Sequence, residues 1–143
     1  MDPHSLESLV VELFTSIQLL SGYAIPDTLP ELHRVPVAVM QQKICGRPCP
    51  VRAFYHPQWG VYFDEKLDLE GNAFDRSILL HELVHHLQRT TGKFESVPGD
   101  CHRKNAEELE AYEIQNRYLS RWGGSKRALV VGWATMCRDA TDD

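Results

Sequence analysis

The stretch Ser77-Ile78-Leu79-Leu80-His81-Glu82-Leu83-Val84-His85-His86-Leu87-Gln88 decides how the rest of the chain is read. Its apolar residues recur at helical spacing: Ile78, Leu79, Leu80, Leu83, Val84 and Leu87 make a broad flank for a core. Asn72 opens the helix, which runs to about Thr91, and Gly92 ends it. Within it, His81, Glu82 and His85 form a His-Glu-x-x-His pattern. Residues four apart stand on one helical face, one turn apart. Two imidazoles so placed can grip one metal ion, each through one nitrogen. Glu82 lies close to that ion but is badly placed to bind it. It is therefore free to take a proton from a metal-bound water. A His-Glu-His cluster bordered by core residues is costly to bury unless something satisfies it, and a metal does so.

A catalytic zinc usually has three protein ligands and a water. In one common continuation of this pattern a Gly and a third His follow on the same segment. Here Gln88 and Thr91 stand at those positions. The third ligand must come from another segment. A helix predicted from Asp100 through Trp122, ended by Gly123-Gly124, offers Glu108, Glu107, Glu110 and His102. Glu108, Ala111, Tyr112, Gln115, Leu119 and Trp122 share one of its faces, a carboxylate among packing residues. Glu107, Glu110 and Glu113 fall elsewhere. Arg103 to Glu107 and Glu113 to Arg117 are spaced by four, which reads as a solvated, ion-paired surface.

With the helical Glu in view, the chain resembles the gluzincin branch of the zincin metallopeptidases, which includes the thermolysin-like and CAAX-prenyl-protease-like enzymes. In those families the ligand Glu opens a Glu-x-x-x-Asp or Glu-x-x-Ala-Asp stretch. Glu108-Leu109-Glu110-Ala111-Tyr112 matches it with Tyr in place of Asp. The resemblance implies Zn²⁺ held by His81, His85 and Glu108, with Glu82 as catalytic base. The family's Asp supports a ligand histidine, so its absence leaves that role to the Tyr112 hydroxyl or to another residue. His86, about 100° around the helix from His85, can line the cleft or hydrogen-bond behind the ligands. Tyr112 is also a candidate for stabilising an oxyanion, as are Tyr118 and Arg103. Both helices also look like small bacterial His-Glu-x-x-His proteins of unassigned function. The resemblance covers about a quarter of the chain. In zincins an edge strand beside the metal helix pairs with the extended substrate, and Trp59 to Phe63 is the first candidate for it.

Outward from the two helices, the first segment reads as a third. Asp2 caps it, Pro3 takes the first turn, and Leu6, Leu9, Val10, Leu13, Phe14, Ile17 and Leu20 form one stripe before Gly22. Six of the eight prolines lie between Pro26 and Pro57. Short β-like runs appear there: Val35 to Met40, Val51 to Tyr55, and Gly60 to Phe63 with a continuation toward Leu67. They predict a small sheet of three or four strands, partly antiparallel because the connections look too short for helical crossovers. A last helix is expected from about Ser125 to Arg138. The expected architecture is α+β: one minimal zincin-like domain over residues 1–143, with the small sheet packed against the metal helix.

Composition narrows the partners. The 143 residues carry 15 basic and 20 acidic side chains, a formal charge of -5. No electrostatic footprint for nucleic acid is present, and no apolar run approaches the roughly 18–20 residues that cross a bilayer. Met1-Asp2-Pro3-His4 shows no secretory signal. The four cysteines allow three disulfide pairings and suggest an oxidising compartment, periplasmic or secreted, with a signal removed. The alternatives are a cytoplasmic protein with free thiols, or a structural zinc site at Cys45-x3-Cys49.

The expected function is a zinc metallopeptidase or amide hydrolase acting on a peptide or protein substrate. The alternative is a catalytically silent zincin scaffold with a binding or structural role. A purely structural zinc takes four protein ligands and needs no proton-shuttling Glu, so Glu82 favours chemistry.

Overall fold

The computed structural model describes residues 2–129 and Cys137. Four helices and a three-stranded sheet occupy them in the order α1 (Pro3–Ser21), β1 (Leu32–Val35), α2 (Val37–Ile44), β2 (Ala53–His56), β3 (Gly60–Asp64), α3 (Ala73–Thr91) and α4 (Asp100–Trp122). This is an α+β fold.

Local chemistry sets the helix ends. The Asp2 side chain accepts from the Ser5 N–H, and Gly22 closes α1 in the left-handed region. The Asn72 side chain accepts from the Asp75 N–H at 3.1 Å and opens α3, while Gly92 closes it. α1 buries Val10, Leu13, Phe14 and Ile17; α3 buries Leu79, Leu80, Leu83, Val84 and Leu87; α4 adds Ala111, Ile114 and Tyr118. Val61 and Phe63 of β3, with Leu67 and Leu69 that follow it, complete this core. Burying each such side chain is worth roughly 1.5–3 kcal/mol, so the three helices and β3 stabilise one another.

The middle of the chain departs from its expected form. Val35–Met40 is not a strand: β1 stops at Val35, and residues 37–44 form α2. Pro36 has no N–H to offer a ladder, and with φ -58° and ψ 145° it stands as the extended residue just before α2. Ala38, Met40, Gln41, Gln42 and Lys43 are good helix formers and outweigh Val37 and Val39. The β-like continuation past Phe63 ends at Asp64, whose side chain accepts from the Lys66 N–H and turns the chain.

α2 also changes the topology. β3 is central, in the order β1-β3-β2. It pairs antiparallel with β2, as expected, but parallel with β1. The segment from Pro36 to Trp59, carrying α2 and β2, is long enough for the crossover that a parallel pair requires. β2, not β3, is therefore the edge that faces α3. The expectation that Trp59 to Phe63 forms an edge is overturned because both sides of β3 are paired.

Beyond α4, residues 125–129 are not helical. Gly123 and Gly124 end the helix, and the Asn116 side chain clasps Ala128 by accepting from its N–H (2.6 Å) and donating to its carbonyl (3.1 Å). The rest of the expected last helix lies outside the described residues. Disulfides join Cys45 to Cys49 and Cys101 to Cys137.

Gly60 starts β3 with φ +88°, and a Cβ there would stand 2.3 Å from the Glu31 carbonyl oxygen. That carbonyl accepts from the Val61 N–H at 2.8 Å, so it cannot retreat without losing a sheet bond. Gly60→Ala is expected to cost about 2 kcal/mol or more. Thermal unfolding should show a drop of several degrees; an unchanged melting temperature would mean that the start of β3 is freely adjustable.

Candidate metal centre between α3 and α4

α3 and α4 run antiparallel in contact, and the register can be read from their side-chain bonds. His81 reaches Gln115 and Glu108; His85 reaches Glu108; Gln88 reaches Glu107 and Glu110. Moving up one helix is moving down the other. The predicted residues His81, His85 and Glu108 meet here, with ligand atoms that all lie within 4.8 Å of one another, a group that can hold a metal ion. Glu108 Oε2 stands 3.3 Å from His81 Nε2, and Oε1 is bonded to His85 Nε2.

The other nitrogen of each imidazole is fixed by a buried amide. Ser77 donates its hydroxyl to the Phe74 carbonyl (2.6 Å), so its oxygen accepts from Gln115 Nε2 (3.1 Å). That leaves Gln115 Oε1 as the acceptor for His81 Nδ1–H at 2.9 Å. Likewise Gln88 Nε2 donates to the Glu107 carbonyl at 2.9 Å, and Gln88 Oε1 accepts from His85 Nδ1–H at 2.8 Å. Both amides are almost wholly buried, Gln88 at 1% exposure and Gln115 at 3%. In the neutral form of each ring, Nε2 then holds a lone pair aimed at the other ligands. Two imidazole nitrogens and one carboxylate are the donor set expected of a zinc-type site with an open position.

Charge at the site agrees. Burial works against a charged His85, yet the Glu108 hydrogen bond and the charges of Glu82 and Glu108 raise it to about 9. Burial alone would raise Glu108, but its bonds to His81 and His85 hold it well below the usual carboxylate range. His85 thus carries its proton toward the Glu108 carboxylate. Glu82 is outside this triad. Burial pushes its carboxyl up, opposed by His81 and His85, and a backbone hydrogen bond from Tyr55 ties it to β2.

The remaining predicted residues separate. The Tyr112 ring stands edge-on to His81, with centroids 4.5 Å apart. Burial and the charges of Glu108 and Glu82 push its hydroxyl up to about 12. The support expected from its hydroxyl is supplied to His81 by Gln115 instead. His86 turns away from the triad, toward the Tyr55 hydroxyl and the Thr28 carbonyl, both at 3.4 Å, and packs against Phe14. Glu107 is not solvated surface. It is buried at 5% exposure and paired with Arg89 at 3.1 Å, while Arg103 pairs with Asp100. Glu110 is bound by Tyr23, Gln88 and Lys93, and it steadies Gln88. Gln88 and Gln115 went unrecognised as supports. Their signal was the unanswered question of what each His Nδ1–H donates to.

The triad lies on a cleft of about 790 Å³. Opposite it runs β2. Asp64 N–H bonds to the Arg52 carbonyl, so Arg52, Phe54 and His56 turn their backbone groups toward β3. By alternation Ala53 and Tyr55 turn theirs outward.

A family model described as "Domain of unknown function (DUF6647)" matches residues 5–141. No curated protein and no solved structure matches the chain.

Two outcomes are expected. Replacing Gln115 by Leu leaves His81 Nδ1–H without its acceptor and should weaken zinc affinity by roughly 10–100-fold, measured by competition with a chromophoric chelator. In the metal-free protein, His85 is raised from its ordinary 6.5 to about 9. A raised basic pKa gives stability that is complete below pH 6.5 and lost as pH rises through about 9, on the order of 3 kcal/mol. Denaturant midpoints across that window should fall for the wild type and stay level for His85→Gln.

Proposed function

We propose that the chain, which belongs to the DUF6647 family, is a zinc-dependent hydrolase of peptide or other amide bonds, similar to the gluzincins. The observation that carries this reading is the convergence of His81 Nε2, His85 Nε2 and the Glu108 carboxylate, each histidine backed by a buried glutamine. His81, His85 and Glu108 would hold the zinc. When bound, the ion supplies Lewis acidity, polarising a carbonyl and lowering the pKa of water toward about 7.

The other roles fall to residues of the chain. Glu82 adjoins the triad, with its pKa raised by burial. A carboxylate of that kind can take a proton from an attacking water and hand it to the departing amine. Its bond from the Tyr55 N–H holds it at the substrate side of the cleft. The outward N–H and C=O of Ala53, with the C=O of Tyr55, suit an extended peptide laid along β2. Tyr112, beside His81 and kept protonated, can donate to a developing oxyanion. Two disulfides suit an oxidising setting, which supports a periplasmic or secreted site of action.

Glu82→Gln keeps the shape and removes the base. The expected result is unchanged zinc content and a fall of about 10²–10⁴-fold in cleavage of a mixed peptide library, read by mass spectrometry. A wild-type rate in that variant would end the proposed mechanism.

A further inference from the structure

Building on the hydrolase reading, we propose that the cleft selects a substrate bearing a carboxylate, seated between Lys104 and Arg89 one helical turn beyond the metal triad. The helices place them there. Arg89 follows His85 by four residues, and Lys104 precedes Glu108 by four. Because α3 and α4 are antiparallel, both cations lie at the same end of the site. Both line the cleft. The opposite end is lined by Phe74, Ile78, Ala128 and Leu129, with Arg52 there facing Asp64 and Asp75, so that end is mainly apolar and its one cation is paired with carboxylates.

The cations differ in how far they are already engaged. Arg52, the third arginine or lysine of the cleft, faces Asp64 at 3.3 Å and Asp75 at 3.9 Å. Arg89 gives Nε and Nη2 to buried Glu107 (3.1 and 3.5 Å), yet its side chain remains 46% exposed. Glu107 thus orients the guanidinium and leaves Nη1 without a partner among the described residues. Lys104 is exposed and has no ion pair among them. Arg89, Lys104 and Glu107 together carry one net positive charge, which matches a carboxylate monoanion better than a phosphate dianion.

The edge strand leads toward this end. Arg52 lies by Asp75 near the start of α3, and Tyr55 reaches Glu82 two turns further on. A chain laid along β2 therefore travels from the apolar end toward the cations. The carboxylate it presents can come from a chain terminus or from an acidic side chain.

Three peptide hydroxamates separate these sources, because a hydroxamate anchors on zinc without needing turnover. One ends in a free carboxylate, one in a carboxamide, and one in a carboxamide with a glutamate side chain. With zinc-loaded wild type, a carboxylate probe is expected to bind about ten-fold tighter than the plain carboxamide, and added salt should erode the difference. Whichever carboxylate probe holds the advantage identifies its source. Lys104→Met should abolish the advantage, and Lys104→Glu should make the carboxylate probe the weaker one, both with wild-type zinc content and melting temperature. Equal binding of all three probes, or an advantage that survives Lys104→Met, overturns the carboxylate seat and leaves the hydrolase reading standing. Failure of every probe to bind zinc-loaded protein overturns both.

Discussion

A histidine can present either ring nitrogen, and the site depends on two buried amides that remove the choice. Gln115 and Gln88 each spend their N–H on an acceptor that can do nothing else, the Ser77 oxygen and the Glu107 carbonyl. Each carbonyl oxygen then has one remaining task, to accept from a histidine Nδ1–H. Rotation of either amide would set donor against donor in a buried place, at a cost of roughly 1–3 kcal/mol for each unmet group. The geometry that could hold a metal ion is in this way built into the helix contact itself.

The same contact explains why buried charge is tolerated. Glu107, Glu108 and Glu110 lie on consecutive sides of α4, and each has a separate partner: Arg89, the two histidines, and Lys93 with Tyr23. Removing one partner would leave a carboxylate stranded near others, which is why such pairs are costly to break. Glu110 is joined to Gln88 and Gln88 to His85, so the pair with Lys93 at the surface is mechanically connected to a ligand inside.

What the sequence disclosed follows from what periodicity can see. The spacing of His81 and His85 on an amphipathic helix, and of Glu108 on the next, is a local property, and caps at Asn72 and Gly92 bracket it. Helices α1, α3 and α4 were legible for that reason. The strand at Val35–Met40 was misread because valines at alternating positions mimic a strand, while the effect of Pro36 is positional. Gln88 and Gln115 escaped because an amide has no pattern of its own. Its role appears only when the donor it must satisfy sits across a helix interface. The spacing of Arg103 and Glu107 mimics a surface pair, but packing brings Arg89 closer and turns the carboxylate inward.

The two disulfides bear on how the cleft is walled. Cys45 and Cys49 lie on the cleft wall, closing the turn that follows α2, and the Cys49 carbonyl accepts from Gln41 on that helix at 2.9 Å. This ties the approach to β2 back to an element that packs on the sheet. The second bridge joins Cys101, in the first turn of α4, to Cys137 across 36 residues. By constraining the unfolded chain, a loop of that length contributes on the order of 3–4 kcal/mol. It also fixes Cys137 to the helix that carries Lys104 and Glu108, while the Asn116 clasp sets Ala128 and Leu129 on the apolar wall. The cleft is thus bounded by an edge strand, a stapled turn and a clasped segment, each fixed by a few polar or covalent links.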